Sequence, residues 1–141
     1  MDVFTKKKRS EVMARIRGKG NRSTERRFAA ILRARHISGW RLHSPEVEGH
    51  PDIYFPKSRL AIFVDGCFWH GCKKCFRVPA QNKSFWARKI SGNMRRDRRI
   101  DRSLRRRGVG VIRVWEHDLE RITPKIRLLL NKIRHAIAPR E

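Results

Sequence analysis

The chain has 141 residues, of which 36 are Lys or Arg and 13 are Asp or Glu, for a formal net charge of +23. A hydrophobic share of 39% is enough to build the core of one ordinary domain, which excludes a wholly disordered chain. A charge this lopsided repels itself without a polyanion, and nucleic acid is the polyanion that it points to, rather than a merely solvated surface. In chain order, residues 1–20 read as a basic arm carrying a short helix from Ser10 to Arg17. That stretch lacks the apolar segment of a secretory signal. A hinge at Gly18 to Asn21 leads into a single domain over residues 21–141. Ser23 to His36 reads as a helix, with Phe28, Ile31, Leu32 and Arg35 at three- and four-residue spacing. Strands are predicted at Gly39–His43, Pro51–Phe55 and Leu60–Asp65, the last two joined by the turn "PKSR". A long helix from Ser84 to Arg107 should end at Gly108 as its C-cap, and residues 109–116 form another strand. Thr123 and Pro124 make an N-cap and first-turn pair for a last helix, whose stripe is Ile126, Leu129, Leu130, Ile133 and Ile137. This order predicts a mixed central sheet flanked by helices, an α/β fold with α+β as the alternative layout. No run of about 18 apolar residues marks a membrane span.

Several acids sit where acids are costly. Glu25 shares a helical face with Phe28, Ala29 and Leu32, and Asp97 lies in line with Ile90, Met94, Ile100 and Leu104. An unpaired carboxylate on an inward face costs on the order of several kcal/mol, so each asks for an arginine, a histidine or a cation. The plainer alternatives are first-turn dipole compensation for Glu25 and an i,i+4 ion pair for Asp97. Asp52 starts one strand of the hairpin and Asp65 ends its partner, so the two can meet at one end of the sheet. Two such carboxylates are the hard oxygen ligands that Mg²⁺ accepts, although each alone reads equally as a strand-end turn residue.

All three cysteines fall in "VDGCFWHGCKKC", residues 64–75, as Cys67, Cys72 and Cys75. An odd count without a secretory signal argues for metal binding or free thiols over a disulfide framework, and places the chain in the cytoplasm near DNA. Three thiolates are one ligand short of a tetrahedral Zn²⁺ site. His117 is the candidate fourth ligand, with His70, His43 and His50 as alternatives.

Together, "FVDGCFWHGC", "FWARKISGNMRRDRR" and "RVWEHDL" resemble the very short patch repair endonucleases, over roughly Arg9 to Leu119. The resemblance implies a restriction-endonuclease-like fold with a structural Zn²⁺. It also implies Mg²⁺-dependent nicking of one DNA strand 5′ to the thymine of a T:G mismatch left by 5-methylcytosine deamination. By resemblance Asp52 is a metal ligand and His70 the general base, and Glu25 and Asp97 fill the remaining acidic positions. Val64 would offer its backbone carbonyl to Mg²⁺, and Asp65, standing where some members have histidine, is a further candidate ligand. Cys67, Cys72, Cys75 and His117 match the zinc positions. Phe68 and Trp69 match aromatics wedged into the DNA beside the mismatch, with core packing as their alternative, and Met13 matches a wedge from the opposite groove. Lys89, Asn93, Arg95 and Arg96 are the expected phosphate contacts, giving a strong salt dependence. The expected partners are double-stranded DNA carrying a T:G mismatch and mismatch-repair proteins. The protein is expected to act as a monomer at the nucleoid. Two rival readings remain: a homing or restriction-linked endonuclease that cuts matched DNA, and a zinc-stabilised DNA-binding module without catalysis.

Overall fold

The structure, a computed structural model, describes residues 25–67, 71–72 and 79–139. The basic arm with Met13, the aromatics Phe68 and Trp69, and His70 and Cys75 lie outside the described residues.

Among the described residues, four strands make one open sheet in the order β1 (Arg41–Leu42), β2 (Ile53–Phe55), β3 (Leu60–Asp65) and β4 (Gly110–Trp115). β1 and β2 pair antiparallel, as do β2 and β3, and Ile53 stands opposite Ile62. β3 and β4 run parallel, from Leu60 beside Gly110 to Asp65 beside Trp115. A parallel pair needs a crossover, and the helix α2 (Lys83–Arg106) supplies it. Two further helices are α1, residues 25–34, and α3 (Pro124–Ile137). A short 3₁₀ turn, Glu116–Leu119, follows β4.

β3 is buried along its whole length, as expected of an apolar run covered on both faces. Its even-numbered residues, Leu60, Ile62 and Val64, join Ile53, Phe55, Ile112 and Val114 under α1 and α3. Phe28 and Leu32 enter that core from α1, and Ile126, Leu130 and Ile133 from α3. The odd-numbered Ala61 and Phe63 face α2 and pack with Leu104 and Val109. This period-2 division assigns the acids a side as well, because Asp65 belongs to the α2 face.

The predicted helix ends hold. The Thr123 side chain accepts a hydrogen bond from the Ile126 N–H at 3.3 Å, and Gly108 follows α2 at φ 81°. β1 is shorter than the Gly39–His43 stretch expected of it, because an exposed edge of two residues has no second neighbour to extend it. Among the described residues, no helix is long and apolar enough to cross a membrane.

Candidate active site and metal centre

One end of the sheet gathers most of the described candidate residues. Asp52 immediately precedes β2, and its Oδ2 accepts a hydrogen bond from the Val64 N–H of β3 at 2.7 Å. Glu25, buried at the start of the described part of α1, shares a side-chain hydrogen bond with Asp52. Burial, and then the bond to Asp52 and its negative charge, raise the Glu25 carboxyl from an ordinary value of 4.5 to about 8. The Nε2 of exposed His43 lies 2.8 Å from Glu25 Oε2. The partner that Glu25 required is therefore a carboxylate with which it shares a proton, plus a histidine that the sequence offered only as a zinc alternative.

A cavity of about 380 Å³ opens beside this pair, lined by Asp52, Val64, Asp65, Asp97, Arg96 and His50 among others. Asp65 and Asp97 are not bare carboxylates. Arg113, on the α2 side of β4, places Nη1 2.8 Å from Asp65 Oδ1 and 3.8 Å from Asp97 Oδ1. Its Nε and Nη2 grip Asp101 at 2.7 to 2.9 Å, and its guanidinium lies 4.3 Å from the centre of the Phe63 ring. Burial alone would lower the Arg113 value, but the Asp101 hydrogen bonds and the charges of Asp65, Asp97 and Asp101 hold it above normal. The inward face expected for Asp97 is real, and its described partner is this arginine from across the fold rather than an i,i+4 neighbour. Arg113 and Asp101 carried no role in the sequence reading. The signal was an arginine alternating with apolar residues on a strand, facing two aspartates one helical turn apart.

The donor set suits a hard divalent cation. Two carboxylates in contact, one of them raised by burial and then by its hydrogen bond to a charged neighbour, make a pair that such an ion would separate and ionise. One consequence concerns the metal-free protein. The Glu25 carboxyl is raised on folding, so its contribution is fully present below 4.5 and is lost as pH rises through about 8. Urea midpoints of the metal-free chain should fall across that window, and Glu25→Gln should flatten the fall. Parallel curves for the two proteins would contradict the raised value.

A second cluster lies just beyond the same strand ends. Cys67 Sγ and Cys72 Sγ lie 3.2 and 3.6 Å from His117 Nδ1, and the three ligand atoms all fall within 4.8 Å of one another. Asp118 Oδ1 sits 3.2 Å from His117 Nε2, which commits Nδ1 to the thiols, and Lys125 of α3 holds the other Asp118 oxygen at 3.0 Å. The Cys67 N–H donates to Glu116 Oε1 at 2.9 Å. Soft sulfur and imidazole donors at this spacing could hold a metal ion, with His117 rather than His43 or His50 in reach. The returning loop is seated by Gly71, at φ 66°. A Cβ there would fall 2.8 Å from Met94 Sδ and 3.0 Å from Ile90 Cγ2 of α2. Lys89, Arg95 and Arg96 stand exposed along α2, with Asn93 half-buried among them.

The family model of the DNA mismatch endonuclease Vsr matches residues 1–77. The type II nicking enzyme V.NaeI of Lentzea aerocolonigenes is 44% identical over 72 residues, which is 51% of this chain and 43% of that enzyme. The type II nicking enzyme V.XorIIP of Xanthomonas oryzae is 36% identical over 84% of this chain and 86% of its own length. The DNA mismatch endonuclease Vsr of Escherichia coli is 37% identical over 82% of this chain and 73% of its own length. With carboxylates at one sheet end, a Cys/His cluster beside them and a basic helix along the rim, the chain belongs to the Vsr family of DNA endonucleases.

Proposed function

We propose that this endonuclease nicks one strand of duplex DNA 5′ to the thymine of a T:G mismatch, with Mg²⁺ as cofactor. The observation that carries the reading is the Glu25–Asp52 carboxylate pair, which adjoins a cavity rimmed by Arg96 and the basic side of α2. Asp52, with the Val64 carbonyl, would hold the ion. When bound, Mg²⁺ supplies the Lewis acid that polarises the phosphodiester and stabilises the leaving oxyanion. Glu25 keeps Asp52 in place through their hydrogen bond, and His43 steadies Glu25 in turn. His70, between Cys67 and Gly71 in the sequence, is assigned to take the proton from the attacking water. Lys89, Asn93, Arg95 and Arg96 are assigned to the phosphates, and Phe68, Trp69 and Met13 to the opened base step. Cys67, Cys72, Cys75 and His117 are assigned a structural Zn²⁺, and the sheet and its flanking helices are read as restriction-endonuclease-like.

The mismatch is the finer part of the reading, and it rests on the relatives named as mismatch endonucleases. Others are named type II nicking enzymes, which favours a second reading in which matched DNA is nicked. Two duplexes that differ only in a central T:G or C:G pair separate them. The mismatch reading expects nicking of the T:G duplex faster by about tenfold or more, since a weak pair opens at a lower cost in unstacking. Equal rates would favour the second reading.

A further inference from the structure

The end of the sheet opposite the carboxylates is a cationic pole, where α1, α2 and α3 all finish. We infer that this pole is a second DNA-binding surface, which holds the phosphate backbone of a further duplex segment. The inference rests on the reading that the cut strand lies at the carboxylate end.

The register fixes the two ends. Asp65 stands level with Trp115 at one, and Phe55, Leu60 and Gly110 stand level at the other. α2 finishes at that other end, where Arg59 of the β2–β3 turn donates from Nη2 to the Arg107 carbonyl at 2.8 Å. α1 runs back from Glu25 beside Asp52, and α3 from Lys125 beside Asp118. They finish together, where Arg134 Nη2 donates to the Arg35 carbonyl at 3.0 Å. The pole is made of segments 31–37, 56–60, 102–108 and 131–139, which carry ten Lys or Arg and no Asp or Glu. Lys57, Arg105, Arg106 and Lys132 all stand exposed. Glu48 reaches to 3.6 Å from Arg107 and offsets one charge.

The plainest role for these cations is to offset the helix C-termini. Each C-terminus carries about half an elementary charge, so three of them call for roughly one or two cations. The surplus faces solvent and repels itself until a polyanion covers it. Duplex DNA is the polyanion that fits, with about one phosphate charge per 1.7 Å of its axis. Single-stranded bases need aromatic platforms, and a bilayer needs an apolar face to insert. Among the described residues, the large apolar side chains that stand exposed, Leu42, Ile122 and Leu128, lie outside the four segments. Half-buried Trp40 nearby is covered by the Arg33 guanidinium, 5.2 Å from its ring centre. A chain that grips two duplex segments can pass from one to the other without first dissolving into solution.

The test saturates the full chain with a donor-labelled duplex at low salt, without Mg²⁺, and titrates in an acceptor-labelled duplex. Energy transfer is expected, and added salt should abolish it. The triple variant Lys57→Gln, Arg106→Gln, Lys132→Gln should weaken capture of the second duplex by about tenfold or more, with a log–log salt slope shallower by about 2 to 3. Its single-turnover nicking of a lone mismatched duplex should stay within about twofold of the wild type. An equal loss of charge elsewhere, in Arg27→Gln, Arg121→Gln, Arg127→Gln, should cost capture less than about threefold. No energy transfer with the wild-type chain would overturn the inference. Undiminished capture by the pole variant would also overturn it and would mark bridging by two copies of the chain. Equal losses in the two triple variants would overturn it as a diffuse effect of net charge. If the pole variant's nicking of the lone duplex fell in step with its capture, the substrate itself would lie at the pole. That result would overturn the reading of the carboxylate end and the inference with it.

Discussion

Asp52→Asn is expected to lower nicking by about a thousandfold or more while leaving DNA affinity within about threefold at fixed salt. The amide keeps the shape of the side chain, and its oxygen can still accept from the Val64 N–H, so the sheet end should stay intact. What it loses is the charge that a divalent cation needs. Binding is expected to draw instead on the charge of a chain of net +23, which the substitution leaves almost unchanged. Burial would still raise the Glu25 carboxyl in the variant, but the contribution of the Asp52 charge would be gone, so Glu25 should ionise more readily. Single-turnover nicking and filter binding on one mismatched duplex check both halves. A variant that nicks at the wild-type rate would sink the assignment, and one that fails to bind would make Asp52 a structural residue.

The second large effect concerns the Zn²⁺ proposed at the Cys67–Cys72–His117 cluster, and is expected when that metal is stripped. The apolar core under α1 and α3 does not include the cluster. The sheet should therefore survive, with far-UV circular dichroism nearly unchanged at room temperature. The loop between β3 and α2 has Gly71 against α2 and few other described anchors, so it should loosen. A melting temperature lower by about 10 °C is expected, corresponding to roughly 3 kcal/mol in a domain of this size. Nicking should be lost, because the residues proposed for proton transfer and for the opened base step, His70, Phe68 and Trp69, fall between Cys67 and Gly71 in the sequence. Chelation followed by calorimetry, with zinc counted before and after, makes the measurement. His117→Ala should reproduce it. An unchanged melting temperature after the metal has gone would remove the structural role.

How much of this was legible beforehand depends on what each element leans on. α2 and α3 were readable because their apolar periodicity and their caps, Gly108 and Thr123-Pro124, are local signals. β3 was readable because a strand buried on both faces is apolar throughout. β1 was overextended because an edge strand stops where its neighbour stops, which its own residues do not encode. The requirement that Glu25 and Asp97 find partners followed from burial cost alone. Their identities did not. Arg113 is 16 residues from Asp97 and 48 from Asp65, and His43 meets Glu25 only once α1 and β1 are docked. Pairings between distant residues are properties of the register, and the parallel register of β3 on β4 is what aims Arg113 at Asp65.

That parallel register also orders events in time. Cys67 and His117 are 50 residues apart, and Cys72 and His117 are 45. They become neighbours only when β4 has come home beside β3, with Asp65 level with Trp115. Closing so long a segment is entropically slow, and contacts of this span are the late ones in folding. A nascent chain would carry Cys67 and Cys72 well before it carries the histidine that completes their cluster. Tight metal capture would then report that the crossover has been completed, and α2, the helix inside the crossover, would be in place before the clip closes.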